Sequence, residues 1–183
     1  MTRLVLLDRD GVINVDLGRA VLHPDELQLI PGVAAAIAAL NNAGVKVAVC
    51  TNQACVGRGE ITDAELDTIH AALIQKLAAN GAHLDALYAA TDKGESARKK
   101  PAPGMLFEAL EKFAASAAET PFVGDALRDL EAAWAAGCKA VLVGTGKGRE
   151  TEVLLQQLPT RPLIKVVDLP EFVTQYLSHV VAR

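Results

Sequence analysis

Four short apolar runs, at residues 4–7, 45–50, 84–89 and 140–143, are separated by longer amphipathic stretches. Short, mainly apolar runs of this kind predict strands that are covered on both faces. A fifth run, 121–123, leads into Gly124-Asp125, and 164–167 adds a sixth near the end. Helix start and stop signals recur between them. Pro31-Gly32 opens an Ala-rich helix that Asn42 and Gly44 close. Thr62, with Glu65 three residues on in capping-box spacing, opens a longer one that runs to Asn80-Gly81. Further helices are predicted over 104–115, 126–136, 148–157 and 169–180. Strict strand–helix alternation predicts an α/β protein, a parallel sheet in a doubly wound layer structure with helices on both faces. Right-handed crossovers then gather the C-terminal ends of the strands along one edge, where ligands bind. Chemistry is to be sought there.

Length and composition narrow the rest. A chain of 183 residues suits one domain spanning 1–183, and 51% hydrophobic residues suffice for a packed core. A net charge of −4 argues against nucleic acid, which is bound through clustered Lys and Arg. The first apolar run is too short for an export signal, and no uninterrupted stretch reaches the length of a membrane span. The expectation is a cytoplasmic monomer that touches neither membrane nor nucleic acid. Cys50, Cys55 and Cys138 are odd in number and lack CxxC spacing, which predicts buried thiols rather than disulfides or a thiolate metal cage. No internal repeat occurs, and the polar stretch 91–103 reads as a loop.

Four strand ends carry groups with chemical potential. Asp8-Arg9-Asp10-Gly11 follows the first strand, and in extended backbone residues i and i+2 point the same way. Two acids so placed raise one another's pKa unless they share a cation, which points to a divalent metal; a pair of turn-forming aspartates is the other reading. Thr51, with the backbone N–H groups of Asn52 and Gln53, ends the second strand, where it either binds phosphate oxygens or forms an ordinary turn. Lys99-Lys100-Pro101-Ala102-Pro103-Gly104 follows the third strand, its prolines stiffening the approach of a lysine that would otherwise be a solvated surface charge. Gly124-Asp125 ends the next strand. Asp125 is either a helix N-cap or a metal ligand, and Asp129, one helical turn on, steadies the site from behind.

In the order Asp-x-Asp, Thr, Lys, Gly-Asp-x-x-x-Asp, this set resembles the haloacid dehalogenase superfamily, whose phosphatases carry it over nearly the whole chain. The resemblance implies a Rossmann-like three-layer sheet, Mg²⁺ and an aspartyl-phosphate on Asp8. A carboxylate attacking a phosphate dianion needs counter-charge, since at about 4 Å and an effective dielectric constant of about 20 each like pair of unit charges costs about 4 kcal/mol. Mg²⁺ held by Asp8, Asp125 and the backbone carbonyl of Asp10 would supply it together with Lys100. Asp10 would protonate the leaving alkoxide and then deprotonate the hydrolytic water, while Thr51 orients the phosphoryl oxygens.

Within that superfamily, residues 8–16 (Asp-Arg-Asp-Gly-Val-Ile-Asn-Val-Asp), Thr51-Asn52-Gln53, Gly57-Arg58-Gly59 and Lys100-Pro101-Ala102-Pro103-Gly104-Met105 are similar to the heptose-bisphosphate phosphatases. The related histidinol-phosphatases share much of the pattern. No insertion is long enough for a large cap domain, so short loops must select the substrate, a small phosphorylated sugar. The resemblance implies sugar contacts from Asp16, Leu17, Gly18, Arg19, Asn52 and Gln53, with Arg58 and Lys99 at a distal phosphate. Two departures stand out. Many members of this branch hold a structural zinc in the loop before the Lys-Pro motif, but here residues 90–99 contain no Cys or His, so no zinc is expected. Lys99 stands where Arg is common, and a point charge cannot form a bidentate fork to phosphate.

Gly144-Thr145-Gly146-Lys147-Gly148 lacks the spacing of a nucleotide-binding loop and reads as a strand-to-helix turn. His23, His70, His83 and His179 show no ligand spacing and are expected at the surface or partly packed. The preferred reading is an enzyme, a phosphoric monoester hydrolase. Its competitors are histidinol-phosphate hydrolysis and a non-catalytic module that binds phosphorylated metabolites.

Overall fold

The computed structural model describes residues 2–181, with side chains to residue 179. Among these residues, strands β1 (Leu4–Leu7), β2 (Lys46–Asn52), β3 (Ala86–Ala90), β4 (Pro121–Gly124), β5 (Lys139–Val143) and β6 (Ile164–Val166) alternate with helices α1 (Val33–Asn42), α2 (Asp63–Ala78), α3 (Gly104–Phe113), α4 (Leu127–Ala136), α5 (Gly148–Leu155) and α6 (Leu169–Val181). All strands pair in parallel, in the order β3-β2-β1-β4-β5-β6. This is the α/β sheet expected from the alternation. Each expected strand and helix is present, with ends that move by a few residues. Two three-residue 3₁₀ turns, Pro24–Glu26 and Ala117–Glu119, went unread because three residues carry no hydrophobic period.

Alternation along each strand divides the core into two layers. Val5 and Leu7 pack with Ile37, Leu40, Ile69, Leu73 and Phe172, whereas Leu4 and Leu6 pack with Leu106, Leu110 and Leu130. Helices α1, α2 and α6 therefore cover one face, and α3 and α4 the other. The Thr62 cap forms as its spacing predicts: Glu65 N donates to Thr62 Oγ1 at 3.2 Å, and Thr62 N donates to the Glu65 carboxylate at 2.7 Å.

The sheet order reverses between β1 and β4, the first strands of the two halves. Connections leave these neighbours toward opposite sides and open a crevice above their C-terminal ends. The segments that follow β1 and β2 hold only short turns, with no folded insertion over the crevice. No helix among the described residues is long and apolar enough to cross a membrane. Cys50, Cys55 and Cys138 are free and buried.

Candidate active site

As β1 ends, Asp8 N donates to Val123 O of β4 at 2.9 Å, so the two strands deliver their next acids to one place. Asp8, Asp125 and Asp129, all buried, each bring a carboxylate oxygen within 4.8 Å of the other two. Lys100 Nζ lies 2.9 Å from Asp8 Oδ1 and 2.7 Å from Asp129 Oδ1. Three acids and one ammonium leave an excess of negative charge where burial already disfavours charge. Burial first, then Asp8 and Asp129, push the Asp125 carboxyl up to about 7. Burial raises Asp8 as well, against the opposing pull of Lys100. Lys100 is held above its ordinary range because Asp129 and Asp8 outweigh its own burial.

The orphaned atoms show where a cation fits. Asp125 Oδ2 accepts from Lys147 N at 2.8 Å, but Oδ1 is buried without a partner. Asp129 Oδ2 accepts from Ala126 N at 2.9 Å, and Oδ1 lies 2.7 Å from Lys100 Nζ, an ion pair without hydrogen-bond alignment. A carboxylate cluster with the buried Asp125 Oδ1 left unpartnered suits a hard divalent ion such as Mg²⁺. The N-cap reading of Asp125 does not hold, because α4 begins at Leu127 and Ala126 occupies the cap position.

The strand-to-helix turn after β5 lies against this cluster, a contribution that its failed nucleotide-loop spacing concealed. Thr145 Oγ1 donates to Gly11 O at 2.6 Å. Gly11 (φ +81°) and Gly146 (φ +55°) press on the Asp125 carboxylate so closely that a Cβ on either would collide with Oδ2. Arg128, in the first turn of α4, was also missed. Its Nε is buried and unpartnered, and its charge bears on Asp129, Asp8 and Asp125. Gly-rich composition at a strand end beside β4 was the available signal for the first, and a cation next to Asp129 for the second.

Beyond Asp10 the chain coils tightly. Arg9 O accepts from Ile13 N at 2.8 Å and Asn14 N at 3.1 Å, which brings Asn14 beside Asp10. Asp10 Oδ1 accepts from Arg9 Nη2 and Asn14 Nδ2, both at 2.9 Å; Oδ2 accepts from Arg9 Nη2 at 3.0 Å and Gln53 Nε2 at 2.9 Å. Burial works against ionisation here, but Arg9, Asn14 and Gln53 prevail and hold Asp10 below the usual carboxylate range.

The remaining expected site residues fall into two groups. Thr51 is buried, and Gln53 Nε2 donates to its Oγ1 at 2.9 Å, so Gln53 links Thr51 to Asp10. Asn52 Nδ2 donates to Lys100 O at 2.9 Å, and Lys100 N donates to Asn52 Oδ1 at 3.0 Å. Both amides make internal bonds. Lys99 does likewise: its Nζ donates to Lys93 O at 2.9 Å and Gly94 O at 3.0 Å, closing its own loop. By contrast, Arg58 pairs with Glu60 at the surface. Asp16 Oδ1 accepts from Gly18 N at 2.9 Å in an exposed turn beside Leu17, and Arg19 pairs with Glu26.

A model of the haloacid dehalogenase-like hydrolases matches residues 2–137. A D-glycero-β-D-manno-heptose-1,7-bisphosphate 7-phosphatase of Pseudomonas aeruginosa is 42% identical over 164 residues, covering 88% of this chain and 90% of that protein. The corresponding enzyme of Bordetella bronchiseptica is 42% identical over 152 residues, covering 81% and 84%. The crystal structure of the D,D-heptose 1,7-bisphosphate phosphatase from B. bronchiseptica, complexed with magnesium and phosphate, superposes with a TM-score of 0.91 at 38% identity, covering 97% of this chain and 99% of that one.

Proposed function

The chain belongs to the haloacid dehalogenase-like hydrolase family and is a phosphatase, and we propose that it removes the 7-phosphate of D-glycero-β-D-manno-heptose 1,7-bisphosphate with Mg²⁺ bound. The observation that carries this reading is the buried group of Asp8, Asp125 and Lys100, with one Asp125 oxygen left unpartnered. The names of the relatives supply the substrate.

Asp8 and Asp125, with the backbone carbonyl of Asp10, would hold the ion, and Asp129 would steady Lys100 from behind. Bound there, Mg²⁺ supplies positive charge that lowers the repulsion between carboxylate and phosphate. Lys100 adds a second positive charge on the other side of Asp8. Since Asp8 Oδ1 accepts from Arg9 N at 2.7 Å and pairs with Lys100, Oδ2 is the oxygen for attack. It forms a bond to phosphorus as the ester P–O bond breaks, and Asp10 delivers a proton to the departing alkoxide. The negative charge of the arriving substrate opposes ionisation of Asp10 and so favours the protonated form that this step needs. Asp10, now an anion, takes a proton from water, whose oxygen bonds to phosphorus and frees Asp8 and inorganic phosphate. Thr51 aligns the phosphoryl oxygens.

Asp16, Leu17, Gly18, Arg19 and Arg58 sit on exposed turns and contact the sugar and its distal phosphate. Lys99, Asn52 and Gln53 serve mainly to shape the loops. In this reading the chain works as one domain and as a monomer. Its substrate is a free cytoplasmic metabolite rather than nucleic acid, which a net charge of −4 does not favour.

Phosphate release measured with and without Mg²⁺, from the heptose bisphosphate, histidinol phosphate and a panel of sugar monophosphates, tests the proposal. The expected result is Mg²⁺-dependent release with the highest kcat/KM on the heptose bisphosphate. Higher kcat/KM on histidinol phosphate, or no release from any of them, would overturn it.

A further inference from the structure

Arg9 has no exposed surface, an unusual place for a guanidinium, and it lies between the end of β1 and α2. Its Nε reaches Asp10 Oδ1 at 3.3 Å and its Nη2 bridges both Asp10 oxygens, while Nη1 lies 3.3 Å from His70 Nε2. A guanidinium can only donate, so His70 Nε2 accepts and the imidazole is neutral, with its proton on Nδ1. A protonated ring would place two cations together away from water; burial, then Arg9, accordingly press the His70 pKa down to about 4.

His70 is also out of pattern on its own helix. Leu66, Ile69, Leu73 and Leu77 form the buried stripe of α2, and His70 sits among them, 8% exposed. A polar group in that stripe is retained only with a partner. The partner is Arg9, and through it the Asp10 carboxylate.

We infer that Arg9, braced by His70, is the positioning residue that fixes the Asp10 carboxylate for its proton transfers, so that α2 takes part in the chemistry at the end of β1. The inference rests on the phosphatase reading and the role given to Asp10. The planar fork spans two oxygens of one carboxylate, and the imidazole prevents the fork from rotating; a point charge or an unbraced guanidinium does neither. A misplaced general base slows proton transfer and leaves substrate binding alone.

The test compares wild type, His70→Leu and His70→Gln, the last placing a neutral carbonyl acceptor near the position of Nε2. Steady-state kinetics on heptose bisphosphate with Mg²⁺ are read beside thermal melting and the amount of phosphoenzyme trapped by acid quench. For His70→Leu, kcat is expected to fall about 10- to 100-fold, with KM within about twofold and more phosphoenzyme trapped, because Asp10 acts in its hydrolysis. His70→Gln is expected to recover most of kcat. A folded leucine variant with wild-type kcat, or a glutamine variant no better than leucine, would overturn the inference while wild-type turnover kept the phosphatase reading intact. Absence of wild-type turnover would overturn both.

Discussion

Asp8 and Asp125 stand at the ends of adjacent parallel strands, and their carboxylate oxygens meet within 4.8 Å although nearly two thirds of the chain separates them. Neither strand supplies an internal counter-charge for Asp125. The pair is held together by the sheet rather than by attraction, and the site is therefore an electrostatic strain that a cation relieves.

That strain makes stability depend on pH and Mg²⁺ together. The Asp125 carboxyl rises from an ordinary 3.8 to about 7 in the folded protein, so the folded state binds the extra proton between those values. Its contribution is complete below the lower value and is lost as pH rises through about 7. Differential scanning fluorimetry should show the metal-free protein losing Tm between about pH 5.5 and about pH 8. Mg²⁺ should raise Tm more at the upper pH. An equal Mg²⁺ shift at both would contradict the assignment.

Lys100→Ala removes the one ammonium among these acids and leaves Asp8 and Asp129 without it. Removing one partner of a buried ion pair costs about 3–5 kcal/mol. Denaturant unfolding of the metal-free variant at neutral pH should show a loss of that size, smaller at acid pH where the carboxyls protonate. Turnover should fall at least about 100-fold from loss of charge stabilisation.

Asn52→Ala tests whether the second strand places Lys100. The amide engages both backbone groups of Lys100, so its loss should lower kcat about tenfold, on the scale of a support behind a catalytic group. Mg²⁺ affinity, measured by calorimetry, should stay within about twofold, because the proposed metal ligands follow β1 and β4. A weakened metal site with unchanged kcat would reverse the assignment.

Much of this architecture was legible in the residues because strand and helix signals agreed with one another along the chain. The run 4–7 coincides with β1, and the Thr62 capping box forms as spaced. Asp8, Asp10, Thr51, Lys100 and Asp125 could be placed at one edge because parallel topology fixes which strand ends are neighbours. Legibility stopped where a role depends on the direction of a side chain. Asn52, Gln53 and Lys99 look like polar ligand contacts in sequence, yet their bonds run inward to Lys100, Asp10 and the loop at Lys93. His70 read as an ordinary helix residue because the Arg9 it braces is 61 positions away in the chain. The turn at Gly146 lacks nucleotide-loop spacing, and nothing in its sequence shows that it packs against Asp125.

The central claim is that Asp8 carries the phosphoryl group, and single-turnover phosphate release by Asp8→Asn in saturating Mg²⁺ addresses it most directly. The variant should fold and bind inorganic phosphate, yet lose turnover by at least about 10³-fold and yield no acid-trapped phosphoenzyme. An Asp8→Asn protein that turns over at the wild-type rate would contradict the account.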